Sequence, residues 1–237
     1  MSKVSKRGFD EADTRWFSEK SLITLRKAHK EIKWLIDREY KIENVVTFVG
    51  DRYQFSTRQR DALKRSTCTT KNQIIRKEKE LSINEMSNGI IQIDTFNLII
   101  TLEVALSGGT LITGNDGNIR DLAGLRGTYK LIDKTDIALE LIGELLKDKE
   151  AKEVRFYLDS PVSNSGKLKS KILEYSKQWG FETEVELVNN ADIVLENLER
   201  VVSSDSIVID KCKSYFNMGK SIIEDYINEA NIVNLSN

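Results

Sequence analysis

Histidine and proline each occur once in this 237-residue chain, as His29 and Pro161, and cysteine occurs twice, as Cys68 and Cys212. With no CxxC pair and no Cys/His cluster, a structural zinc site is excluded. Two isolated cysteines fit a reducing cytoplasm, where disulfides are rare. No run approaches the roughly 20 apolar residues that cross a bilayer, so no membrane partner is expected. The opening residues MSKVSKRGFDEAD put no apolar segment behind their charges, and no secretory signal is expected either. No GxGxxG follows a strand and no GxxxxGK[ST] occurs, which leaves neither a dinucleotide fold nor a P-loop.

What is present is a globular composition, 40% apolar and 31% charged. The net charge of −1 conceals two unlike parts. Residues 1–80 carry 20 Lys and Arg against 12 Asp and Glu, and the remainder carries 16 against 25. One reading has the basic part attracting a polyanion while the acidic part holds cations. The other has the two parts attracting each other.

Residues 1–84 read as a basic, all-α N-terminal region. From Thr14 to Glu39 the apolar side chains fall at near-helical spacing with no proline between them. A second apolar run, Ile42–Val49, is expected to stop at Gly50 acting as a C′ residue. Ser56 and Gln59 form a capping box that opens a helix to about Thr67. Arg52, Arg58 and Arg60 are candidate nucleic-acid contacts, with Lys64 and Arg65 further along the same helix; ion pairing on an ordinary bundle surface is the alternative. His29, in a Lys-rich helix, reads as a surface residue. Thr67–Glu85 reads as a polar helical or irregular linker.

Residues 85–237 alternate short apolar runs with helical periods, the pattern of an α/β domain with a central, mainly parallel sheet flanked by helices. The expected strands are Gly89–Asp94, Glu153–Leu158, Phe181–Val188 and a fourth in one of two registers, Val201–Asp205 or Ser206–Asp210. In such sheets functional groups collect at the carboxyl ends of the strands. Asp94, Asp159 and one of Asp205 and Asp210 fall there, and Asp192 opens a helix that faces the same crevice. Carboxylates gathered in this way repel unless cations neutralise them, and oxygen donors without His or Cys suit Mg²⁺ or Mn²⁺. Any single Asp after a strand is better explained as a turn or cap residue; it is their falling on one edge together that points to a metal site. The glycine-rich stretch Ser107–Tyr129 predicts a hairpin or flap; there Arg120 and Arg126 are candidate phosphate contacts and Asp121 a candidate addition to the acidic set.

The segments Ile91-Gln92-Ile93-Asp94-Thr95-Phe96-Asn97, Tyr157-Leu158-Asp159, Asn190-Ala191-Asp192-Ile193 and Val202-Ser203-Ser204-Asp205-Ser206 resemble PIN-like nucleases, particularly the NYN branch, over about residues 88–215. The resemblance implies a PIN-like fold and makes Asp94, Asp159, Asp192 and Asp205 the catalytic, metal-binding set, with Asn97 as a neighbouring polar contact. Two positions depart from it: Thr95 stands where a small Gly is frequent, and the Ser206-Ile207 context stands where a further Asp is frequent, unless Asp210 substitutes. With GDRYQFSTRQR in front and RDLAGLRGTY and DSPVSNSGKL behind, the whole chain also looks like a prokaryotic family known only through domains of unknown function. The expectation is a Mg²⁺- or Mn²⁺-dependent endoribonuclease whose basic helices deliver RNA or another nucleic acid, with a homodimer left open. Its alternative is a non-catalytic module that binds nucleic acid or protein.

Overall fold

The computed structural model describes residues 6–124 and 127–236, so Arg126 lies outside the described residues. Five helices lead the chain: α1 (Asp13–Trp16), α2 (Glu19–Ile36), α3 (Ile42–Tyr53), α4 (Thr57–Ser66) and α5 (Thr70–Lys79). The expected capping box closes on α4, where the Ser56 hydroxyl accepts from the Gln59 N–H and the Gln59 amide oxygen accepts from the Ser56 N–H. Gly50 does not end α3. The helix continues to Tyr53 and terminates in Gln54 at φ 54°; Gly50 sits inside it, and a Cβ there would lie 2.8 Å from the Arg60 guanidinium carbon. His29 is not on the surface either. It is buried, with Nε2 3.3 Å from the Ser66 carbonyl, and burial holds its pKa below the usual value.

After a 3₁₀ turn at Ile83–Asn88 come β1 (Ile91–Asp94), α6 (Thr95–Leu106), β2 (Leu111–Thr113), β3 (Ile119–Asp121), α7 (Asp133–Asp148), β4 (Glu153–Asp159) and α8 (Ser165–Ser176). Then follow β5 (Glu182–Val188), α9 (Ala191–Leu195), β6 (Val201–Val202), α10 (Ser206–Lys211), β7 (Tyr215–Phe216), α11 (Met218–Tyr226) and β8 (Ile232–Asn234). The main sheet has the order β5-β4-β1-β6-β7 and is parallel at every pairing. The α/β class with a helical N-terminal region is therefore the observed one. Of the two registers for the fourth strand, Val201–Val202 pairs with β1, while Ser206–Asp210 is helical.

Alternation along the strands sorts side chains to two faces. Val154, Phe156 and Leu158 of β4 join α6, α7, α8 and α11 in the larger core, whereas Tyr157 joins α9 and α10 on the opposite face. The glycine-rich stretch forms a hairpin, but a buried one. β2 pairs antiparallel with β3 and parallel with the C-terminal β8, and Leu111 and Ile112 are fully buried. Ile112, Leu122, Val233 and Leu235 share a core with α2, α3 and α4, so the N-terminal helices pack on this small sheet instead of standing apart.

One packing detail carries a prediction. Gly143 in α7 lies against Trp179, and a Cβ at that position would be 2.0 Å from the indole nitrogen. Gly143→Ala should destabilise the fold by about 1–3 kcal/mol through overpacking, despite the better helix propensity of Ala. A urea melt with an unchanged m-value checks it.

Candidate functional site

The strand order gives the site its place. From β1 the chain proceeds to β4 and then β5 on one side, and β6 and β7 are added on the other. The order therefore reverses between β1 and β6, and in open parallel sheets that reversal leaves a crevice at the carboxyl ends. Asp94 ends β1, Asp159 ends β4, and Ser203-Ser204-Asp205 follows β6. Asp192 lies in the first turn of α9, which packs on β1 and β4.

These four aspartates line one cavity of about 320 Å³, together with Asn97, Asp121 and Arg65. Asp94 is 5% exposed, and its Oδ2 accepts from the Ser203 hydroxyl at 2.8 Å. Burial first, then the charges of Asp192 and Asp205, push the Asp94 carboxyl up to about 7 against the pull of that hydrogen bond. Asp192 is raised in the same way, by burial and by Asp205 and Asp159. The acids thus act on one another electrostatically and not merely share a rim.

Local hydrogen bonds hold Asp94, Asp159 and Asp205. Asp159 Oδ1 accepts the Ala191 N–H at 2.8 Å, which fixes the start of α9. Asp205 Oδ1 accepts the Ile207 N–H at 2.7 Å, and the Asp205 N–H donates to the Ser203 hydroxyl. Asn97 Oδ1 accepts from both the N–H and the hydroxyl of Ser204. Asp121, at the end of β3, is tied by the Ala123 and Gly124 N–H groups and by the Thr101 hydroxyl. Among the described residues no three Asp, Glu, His or Cys side chains form a ready-made metal cage. Local bonds already commit one oxygen of Asp94, Asp159 and Asp205 and both oxygens of Asp121.

The remaining candidates are placed elsewhere. Asp210 faces away from the 320 Å³ cavity and binds the Arg76 guanidinium in a fork at 2.6 and 2.9 Å, so it is an ion-pair partner and no substitute for Asp205. Arg120 is buried, grips Asp116 with two nitrogens and donates to the carbonyls of Ser204 and Arg65. Although burial opposes it, Arg120 and Arg76 hold the Asp116 carboxyl down at about 2. Arg58 pairs with Asp13 and donates to the Gly8 and Leu122 carbonyls. Arg60 binds Asp51 and the Phe55 and Thr47 carbonyls. Arg120 and Arg58 are spent on internal carbonyls and carboxylates, while Arg60 forms an ion pair with the exposed Asp51 at the bundle surface. Arg52 is exposed on α3, over the Tyr53 ring, and lines neither this cavity nor the larger one described below.

Two residues gain importance from the structure. Arg65 is the cation that lines the acidic cavity, and Ser203 is the hydroxyl that orients Asp94. Ser203 sits two positions before Asp205, a proximity that could have flagged it. Ser203→Ala should move the Asp94 midpoint upward by roughly one pH unit, the worth of a hydrogen bond to a charged group. Carboxyl ¹³C shifts followed through a pH titration would measure it.

The chain matches two families in succession. Residues 24–79 match one described as a protein of unknown function (DUF434), and residues 83–221 match one described as a domain of unknown function (DUF5616). The Uncharacterized protein MJ0935 of Methanocaldococcus jannaschii is 36% identical over 187 residues, covering 79% of this chain and 89% of that protein. No solved structure matches the chain significantly. Among the described residues no helix is long and apolar enough to cross a membrane.

Proposed function

The chain belongs to the family described as a domain of unknown function (DUF5616), and from the acidic crevice of that domain we propose that it is a PIN-like, divalent-metal-dependent nuclease acting on RNA phosphodiesters. One observation carries the reading: a buried carboxyl, Asp94, is placed at the topological switch point and raised to about 7 by burial and by its acidic neighbours. Holding a carboxylate in such a place costs stability, and a strongly perturbed group in a crevice is a functional-site candidate. A divalent cation removes the cost.

The donor set suits such an ion in kind. It consists of hard oxygen ligands with no sulfur or imidazole, and Mg²⁺ commonly keeps several waters and takes only one or two carboxylates directly. Asp94, Asp159, Asp192 and Asp205 would hold it, with Asn97 and Asp121 beside them. When bound, the ion supplies Lewis acidity toward a water and a phosphodiester oxygen. The chain's own residues do the positioning. Ser203 orients Asp94, Asn97 holds the turn that carries Asp205, and Arg65 brings a positive charge to the cavity, where a phosphate would be drawn.

The test is a set of thermal shifts with Mn²⁺, Mg²⁺ and Ca²⁺ on the wild type and on Asp94→Asn, paired with cleavage of single-stranded RNA. A bound ion stabilises by RT ln(1+[L]/Kd), so Tm should climb with Mn²⁺ in the wild type alone. A Tm indifferent to all three ions, with RNA bound equally well in EDTA, would replace the nuclease with a non-catalytic binding module.

A further inference from the structure

A second cavity, about 750 Å³, opens between the N-terminal helices and α10 and runs into the acidic one through Arg65, Asn97, Asp121 and Asp205, which line both. Its lining mixes cations with exposed apolar side chains, Tyr40 from the helical side and Ile207 from α10. Lys64 and Arg65 from α4 and Lys71 from α5 bring positive charge, while Tyr40 and Ile207 present exposed apolar surface at 61% and 56%. Among the described residues no carboxylate pairs with Arg65 or Lys71. Lys64 meets Glu43 at 3.2 Å, but both are largely exposed, and such pairs contribute little.

The groove is a built feature. Arg76 of α5 is buried and joined both to Asp116 in the β2–β3 turn and to Asp210 of α10. Arg120 fastens the Ser204 and Arg65 carbonyls, one on each side. The cationic helices are thus held in register with the turn that carries Asp205.

We infer that this groove binds a single strand of nucleic acid, its phosphates on Lys64, Arg65 and Lys71 and an unstacked base against Tyr40 and Ile207. The claim rests on the nuclease reading only for what happens at the acidic end. A flat aromatic and an aliphatic side chain flanking a cationic track match the stacking platforms that hold single strands without reading sequence. A duplex keeps its bases stacked on each other and has none to offer Tyr40. Six carboxylates (Glu39, Glu43, Asp61, Asp121, Asp205 and Asp210) line the groove beside five cations, two of them, Arg76 and Arg120, already ion-paired, so its charge is mixed and stacking has to supply much of the affinity.

The experiment is fluorescence anisotropy in EDTA with a labelled 12-nucleotide RNA, a DNA of the same sequence, and the corresponding duplexes. Full-length wild type, Arg65→Ala/Lys71→Ala, Tyr40→Ala and the control Arg52→Ala would be compared after circular dichroism has shown that each is folded. Single strands should bind more tightly than duplexes. Tyr40→Ala should weaken binding by about 10-fold. The double variant should reduce the slope of log K against log salt by about 1.4, the value for two phosphate contacts on a single strand. Arg52→Ala should bind as the wild type does, and the RNA and DNA arms reveal which strand is preferred. Equal affinity for duplexes, or single-strand binding untouched by both groove variants, overturns the inference. The two claims fail separately. Groove-dependent binding without Mn²⁺-supported cleavage removes the nuclease and leaves the groove, whereas cleavage with an unchanged KM in the groove variants does the reverse.

Discussion

Asp94→Asn is expected to lower Mn²⁺-supported cleavage of single-stranded RNA by about 10³-fold, the scale of removing one charge-stabilising group from a water-excluded site. The Asn side chain has the same shape and can still accept the Ser203 hydroxyl that now reaches Asp94 Oδ2. The variant therefore changes charge and leaves the crevice intact. RNA binding in EDTA should be preserved or slightly tightened, because a negative charge near the phosphates has gone. Gel-resolved cleavage at saturating RNA would measure the rate, with anisotropy on the same preparation as the control. Unchanged cleavage would remove this crevice from consideration as the catalytic centre.

The second large effect is on stability and runs in the opposite direction. Burial and the acids Asp192 and Asp205 raise Asp94 from 3.8 to about 7. A carboxyl that binds its proton more tightly in the folded state stabilises the fold at pH values below its unfolded pKa. That contribution is lost as pH rises from about 4 through 7. At about 1.4 kcal/mol for each pH unit, the loss is on the order of 4 kcal/mol. At pH 8 in EDTA, Asp94→Asn should consequently melt on the order of 10 °C above the wild type, given about 2–4 °C per kcal/mol for a chain of this size. Near pH 4 the two should converge. Mn²⁺ should narrow the gap at pH 8 by stabilising the wild type alone. A Tm difference that does not vary with pH would show that Asp94 titrates as an ordinary carboxylate.

These two predictions pull against each other in a way that a structural aspartate would not produce. Asn caps a helix as well as Asp does, so Asp94→Asn leaves any capping of α6 in place and changes only the charge. A residue whose removal stabilises the protein while abolishing its chemistry is one whose cost is met only when a ligand is bound.

The alternation of strand and helix was legible because the period of apolar residues changes locally, and the capping box at Ser56 and Gln59 was legible because both partners lie within four residues. Short-range signals failed where tertiary packing overrode them. Gly50 looks like a helix terminator, but it is an interior position with the Arg60 guanidinium packed over it. Ser206–Asp210 has the composition of a strand, yet Val208 and Ile209 fill a core beside α9, and the segment is helical. The two-residue β7 is too short for any period to reveal.

From the order of residues alone follow the α/β class, the helical front and the placing of acids after strands, since each depends on neighbours a few positions apart. Which acids meet was decided by the strand order β5-β4-β1-β6-β7, a matter of pairings between segments as much as a hundred residues apart. The same long-range packing turned Arg58 and Arg120 inward and left Arg65 at the crevice. A charge in a sequence has no direction until the fold supplies its partners.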